Sequence, residues 1–289
     1  MNEILQLLVY GLVLGSVLAM GAIGVSMIFG ILRFAHFAHG DFMTLGAYLG
    51  LAFIAAFGLS PWWALPAAMF GMAVVAVGID QLVYRRLRRT QPVILLISSF
   101  GMALILRSLV QLIWGSDNQT YVSGIQFPWR LDWLGGLRLK PDHAWIVLIS
   151  AGLIVTVHLF LSRTRLGKAM RAMSDNMDLA RISGIPAERV IMMTWIIGGA
   201  LAAAAGVFLG IDTRLHPEMG WTTLLPIFAA AILGGIGRPY GAIVGGMVIG
   251  LSMEMSTLLI SASYKPAVAF AIMVIMLIVR PQGIFKGTL

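Results

Sequence analysis

From residue 4 to residue 29 the chain carries no charged side chain. Roughly 20 apolar residues suffice to cross a bilayer as a helix, so this run predicts a membrane span. It is too long for a signal-peptide core, and Met1-Asn2-Glu3 before it holds no basic residue, so a retained first helix is expected. Further apolar segments follow at 42–57, 62–79, 93–114, 144–161, 192–211, 222–234, 241–260 and 264–279. Segments 42–57 and 222–234 are short and adjoin glycine-rich or polar breaks, which predicts tilted, broken or re-entrant helices there. The expected fold is all-α: a polytopic membrane protein of about eight spans, a ninth being possible, in one domain over 1–289.

Composition excludes the soluble classes. Hydrophobic residues make up 59% and charged residues 11% of the chain, whereas an average soluble domain carries about 25% charged residues. Cysteine is absent, which removes disulfides, thiolate metal sites and cysteine nucleophiles. The net charge of +8 is located in three segments: the loop 80–92 (Arg85, Arg86, Arg88, Arg89), the segment 162–191 and the tail after Arg280. In a membrane protein such clusters mark the cytoplasmic side and are a topology signal, not a nucleic-acid footprint. The loop 115–143 balances Arg130, Arg138 and Lys140 against Asp117, Asp132 and Asp142, which suits the outer side. Alternate crossings then place the N-terminus outside and the C-terminus in the cytoplasm.

Within 162–191, Leu166, Met170, Met173, Met177 and Ala180 recur at spacings of four and three, which predicts one short amphipathic helix ended by Gly184. It serves either as a headgroup-layer helix or as a docking surface. Gly234, Gly235, Gly237, Gly241 and Gly245 place small residues where helix backbones could approach closely, and packing is their simplest role. His36, His39 and Asp41 lie together in a break between apolar segments. They are suitable metal ligands, but no second cluster supplies the remaining ones, and a broken helix beside a translocation path is favoured. Arg107 and Glu254 fall inside spans, where charge is costly; they are expected to pair with each other, or Arg107 to snorkel outward, with substrate contact as the alternative.

Four stretches together resemble the permease subunits of branched-chain amino acid ABC importers. They are 34–48 (FAHFAHGDFMTLGAY), 167–189 (GKAMRAMSDNMDLARISGIPAER), 234–246 (GGIGRPYGAIVGG) and 280–285 (RPQGIF), in that family's order. The resemblance implies a path segment containing His36, Phe37, His39, Gly40 and Asp41. It also implies a coupling segment in which Arg171, Asp175, Asn176, Asp178, Ala180 and Gly184 meet an ATPase. Leu179 stands where the wider importer motif has its first alanine, and the motif's hydrophobic-Leu-Pro ending is replaced by Thr194-Trp195-Ile196-Ile197. His36 stands where the family has asparagine, and a titratable ring there suggests pH-sensitive transport.

No Gly-x-x-x-x-Gly-Lys-Ser/Thr run occurs, so the chain is expected to be no enzyme and to bind no cofactor, with ATP used by partner subunits. By the resemblance those partners are a second related permease, two cytoplasmic ATPases and a periplasmic amino-acid-binding protein, around a bacterial inner membrane. The cargo expected is leucine, isoleucine or valine; urea, short amides or aromatic acids are the alternative for the same type of permease. A stand-alone secondary transporter or channel would need intramembrane carboxylates for a coupling ion, and a membrane enzyme would have the His36, His39, Asp41 group as its centre.

Overall fold

A computed structural model describes residues 2–58, 60–121, 128–131 and 136–287. Asp132, counted above in the outer loop, lies outside the described residues. Among the described residues, eight helices are long and apolar enough to cross a membrane, and Met219–Gly234 is a shorter apolar helix. In chain order the helices are α1 (Asn2–Leu32), α2 (His39–Phe57), α3 (Pro61–Leu87), α4 (Pro92–Trp114) and α5 (Pro141–Arg163). There follow α6 (Arg165–Asp175), α7 (Met177–Ile182), α8 (Ala187–Asp212), α9 (Met219–Gly234), α10 (Pro239–Met255) and α11 (Lys265–Val279). One element falls outside the all-helical expectation: a small antiparallel hairpin pairs β1 (Trp129–Leu131) with β2 (Leu137–Leu139) in the loop before α5.

The core is built on α1 and α8, whose most apolar windows are 83% and 72% buried, against 6% for α11. Small residues make this possible. Gly11 of α1 faces the Leu251 backbone, and Gly246 of α10 faces Ala19, so α1 and α10 run antiparallel with their backbones in contact. α8 packs by the same means, its Gly199 against Met72 and Ala76 of α3.

Two of the apolar segments follow breaks in the helical chain. α1 ends at Leu32, and after residues 33–38 the chain starts α2 at His39, whose ring lies against Gly24 of α1. Gly24 is eight residues before that end, roughly 12 Å along the helix axis at 1.5 Å per residue. The chain has therefore turned back into the bilayer before becoming helical again. α8 ends at Asp212 at the opposite end of the molecule, and α9 starts at Met219, with Gly220 against Gly40. α2 and the shorter α9 thus meet N-terminus to N-terminus and run in opposite directions.

The basic end of the molecule gathers three of the four family-like stretches. The helix expected over 162–191 is instead two, because Asn176 adopts an extended conformation (φ −153°, ψ 105°) between α6 and α7. Its side chain accepts a hydrogen bond from the Leu179 amide (3.0 Å), capping α7. Thr164 caps α6 in the same way, accepting from the Gly167 amide at 2.9 Å. The predicted apolar face is nonetheless the buried one: Met170, Met173 and Ala180 are covered. Gly184, at φ 82°, closes α7, with the Ile185 amide donating to the Ala180 carbonyl (3.1 Å). The tail turns under the glycine-rich hairpin, the Ile284 and Phe285 amides donating to the carbonyls of Leu233 (2.9 Å) and Gly234 (3.1 Å).

Candidate functional site

Backbone groups at a break need hydrogen-bond partners from elsewhere in the chain, and both breaks find them. Ser99 of α4 serves the first. Its hydroxyl accepts from the Phe37 amide (3.1 Å) and lies 3.4 Å from the Ala35 carbonyl. The second break pairs with the loop between α4 and α5 as an extended bridge, Gln119 and Leu215 exchanging backbone hydrogen bonds of 2.8 and 2.9 Å.

At the meeting point, Thr44 of α2 binds both helices. Its hydroxyl accepts from the Gly220 amide (3.0 Å), one of the free donors at the start of α9. A side chain on Gly40 or Gly220 would run into the other residue's carbonyl, so only glycine permits this crossing.

Asp41, in the first turn of α2, is fully buried and takes a two-pronged contact from Arg107 of α4: Nε to Oδ1 at 3.0 Å and Nη2 to Oδ2 at 3.2 Å. The guanidinium carbon sits 4.8 Å over the Trp221 ring. Trp221 in turn meets Phe100 edge-on at 5.7 Å, and Phe37 meets Phe228 at 5.4 Å. The result is a half-buried aromatic face across α2, α4 and α9 with one compensated cation in it. Arg107 retains 15% side-chain exposure there.

The structure corrects the expected pairing of Arg107 with Glu254. Glu254 is near the end of α10 and is held by Lys265 at the start of α11, with Nζ to carboxylate distances of 2.7 and 2.8 Å. Each charge has a partner closer in the fold, and Arg107 has no need to snorkel. Among the described residues, no three His, Asp or Glu side chains are grouped to hold a metal ion.

The two histidines face inward. His36 is 1% exposed, with Nε2 3.1 Å from the Tyr84 hydroxyl and its ring against Phe42 and Trp195. Tyr84 is placed by a π-helical turn over Asp80–Tyr84 and stacks on Trp195 at 5.1 Å. His39 is likewise buried, between α1 and α8. Of the five residues expected along the path, Phe37 is partly exposed, while His36, His39, Gly40 and Asp41 are buried within the subunit. His36→Asn should therefore leave the pH profile of uptake unchanged between about pH 5.5 and 8. An inflection present in the parent and lost in the variant would contradict this.

At the basic end, Arg171, Asp175, Asn176, Asp178 and Gly184 are exposed and Ala180 is buried. Asp175 pairs with Arg238 (3.6 Å), and Arg33 donates to the Ser174 carbonyl (2.6 Å), so α6 is tied to α1 and to the glycine-rich hairpin. Gly234, Gly241 and Gly245 are close-packing positions between α9 and α10, whereas Gly235 and Gly237 take positive φ in the turn joining them.

Sequence reasoning did not single out Ser99, Thr44, Gly220 or Trp221. It noted Leu179 only as a departure from the importer motif and passed over Ile182; both are apolar residues of α7, 60% and 82% exposed. Their i, i+3 spacing opposite Ala180 is the signal that could have found them.

Comparison with known proteins agrees with this architecture. Residues 7–277 match the family model described as branched-chain amino acid transport system, permease component. The chain is 35% identical to the high-affinity branched-chain amino acid transport permease LivH of Escherichia coli K12, over 97% of this chain and 94% of LivH. It is 32% identical to BraD of Pseudomonas aeruginosa, over 97% of this chain and 95% of BraD. Among solved structures, PsaBC from Streptococcus pneumoniae in complex with Fab matches with a TM-score of 0.52 at 13% identity, covering 94% of this chain and 91% of that one, a likeness of fold. With a family match over nearly its whole length, two relatives above 30% identity over almost the full chain and a fold of membrane-spanning helices, the chain belongs to the branched-chain amino acid transport permease family.

Proposed function

We propose that the chain is one of two transmembrane subunits of an ATP-driven importer in a bacterial inner membrane, carrying leucine, isoleucine and valine received from an external binding protein. The basic end faces the cytoplasm and the N-terminus lies outside. Family membership over nearly the whole chain carries this reading.

The geometry supplies a way for the subunit to work. α6 and α7 stand out at the basic end, fixed beneath by Met170, Met173 and Ala180 and presenting Leu179 and Ile182 outward. Exposed apolar side chains on so short a helix suit insertion into a cleft of an ATPase. The ties from Asp175 to Arg238 and from Arg33 to Ser174 pass any displacement to α1 and to the α9–α10 hairpin. α9 begins at the crossing with α2, so the motion reaches mid-membrane through a rigid element.

The aromatic face around Phe37, Phe100 and Trp221, with Arg107 within it, is the face placed against the second permease to enclose the path. A mainly apolar conduit with one compensated cation offers little selectivity, which suits a system whose binding protein selects the cargo. A secondary transporter would keep carboxylates free to titrate with its coupling ion. Here the buried Asp41, Asp80 and Glu254 are each paired, with Arg107, Arg88 and Lys265.

Two experiments test this reading. Cells expressing the chain with its companion permease, ATPases and binding protein should accumulate labelled leucine, isoleucine and valine, and omission of this chain should end accumulation. Unchanged accumulation without the chain would overturn the assignment. Leu179→Glu with Ile182→Glu should abolish co-purification of the ATPase while leaving the fold intact, because both side chains lie on the surface. Retained co-purification would place the dock elsewhere.

A further inference from the structure

Beside the proposed ATPase dock, the loop after α3 and the connection from α7 to α8 enclose a cavity of about 960 Å³. It is lined by six arginines, Arg85, Arg86, Arg88, Arg89, Arg181 and Arg189, with Glu188 as its single acid and Ile185, Pro186 and Ala187 as the remainder of its wall. The acids beneath and within it are used by two of the six. Arg88 binds Asp80 and also takes both Glu188 oxygens at 3.0 Å, and Arg85 lies 3.5 Å from Glu188. Arg86, Arg89, Arg181 and Arg189 are exposed and form no ion pair among the described residues.

A cavity with four guanidinium groups that form no ion pair repels a cationic occupant and favours an oxyanion, for which planar N–H donors are well shaped. Its position narrows the source. α3 ends at Leu87 and α8 begins at Ala187, both at the cavity, and α4 begins at Pro92, three residues after Arg89, so the cavity lies where helices long enough to cross a membrane have their ends. Leu82, one turn before Arg86, is 67% exposed, and Val93 and Ile97 in the first turns of α4 are exposed as well. Apolar surface suited to acyl chains thus adjoins basic surface suited to a phosphodiester.

We infer that this cavity is a binding site for the headgroup of an anionic phospholipid of the cytoplasmic leaflet, with its acyl chains lying along α3 and α4. The bound lipid neutralises the arginine cluster and joins the α3–α4 loop to the start of α8, next to the segment through which ATPase motion enters. The site is separate from the translocation path. Its test reads lipid retention rather than uptake, so it stands or falls independently of the transport assignment.

The transporter complex, purified from a membrane mixture of phosphatidylglycerol and phosphatidylcholine, is analysed for retained lipid by native mass spectrometry. Phosphatidylglycerol should be retained in preference, and Arg86→Gln with Arg89→Gln should weaken that preference about thirtyfold, from roughly fivefold per basic residue at a membrane surface. Arg86→Lys with Arg89→Lys, which keeps the charge, should retain most of it. If the glutamine pair does not assemble, the wild-type complex still decides: raising ionic strength from about 0.1 to 1 M shortens the screening length from about 10 to 3 Å and should release the lipid. Equal retention of the two lipids, or an unaltered preference in the glutamine pair, would overturn the inference. So would displacement by millimolar inorganic phosphate at constant ionic strength, which would make this a free-phosphate site. Loss of the ATPase with lipid retained in the glutamine pair would assign the arginines to the ATPase and would also overturn it.

Discussion

Replacing Asp41 with asparagine is expected to abolish uptake and to lower sharply the yield of folded protein. Asp41 is fully buried and is the partner of both Arg107 nitrogens in contact with it. Without the carboxylate, the guanidinium is left within the helical bundle with the Trp221 ring beneath it and no carboxylate to balance its charge. Breaking a buried pair from one side costs about 3–5 kcal/mol, a large share of the stability of a typical domain. Asp41→Asn combined with Arg107→Gln removes the uncompensated charge, so folded yield should return. Uptake should remain low, because the two-pronged clamp that fixes the start of α2 against α4 is gone. Thermal unfolding of the purified complex, together with labelled-leucine uptake, separates the two effects. A single Asp41→Asn variant with parental stability and uptake would refute the role given to the pair.

Gly220→Ala is expected to be as damaging, for a different reason. An added Cβ there meets the Gly40 carbonyl and the Thr44 hydroxyl, and backbone cannot yield as a flexible side chain does. Overpacking of this kind costs about 3 kcal/mol or more, and here it also parts the two helix ends. Gly78→Ala is the control. Gly78 lies in α3, and an added methyl would meet nothing within 4 Å. That variant should be neutral, or more stable by up to about 1 kcal/mol through reduced backbone entropy in the unfolded chain. Equal behaviour of the two variants in folded yield would contradict the crossing of α2 and α9.

Hydropathy made the spans legible because the bilayer imposes one rule on every crossing helix. Of the two short segments, 222–234 is the shorter apolar helix and 42–57 lies in a helix long enough to cross, and each follows a break whose backbone groups need partners. What satisfies them was not legible. Ser99, Gln119 and Thr44 are ordinary residues locally, and their partners are 62, 96 and 176 positions away in the chain. The ion pairs show the same limit. Arg107 and Glu254 stand out as charges in apolar runs, yet which acid faces Arg107 depends on where α2 restarts. Lys265 follows so soon after Glu254 that the connection from α10 to α11 brings them together.

The small-residue pattern was read in α10 and missed in α1, where Gly11, Gly15 and Ala19 carry the same four-residue spacing and form the other half of the contact. At the basic end, periodicity identified the buried face of α6 and α7 but predicted one helix. Asn176 breaks it, because its side chain offers the next turn's amide a bond that a continuous helix would not supply.

The central claim is that this chain moves substrate as half of an ATP-driven pair. Reconstitution into liposomes tests it most directly. With the companion permease, the ATPases, the binding protein and ATP, labelled leucine should enter; omission of any one should reduce entry to the level of empty liposomes. Leucine entry with this chain as the sole protein, with no ATP present, would contradict the account.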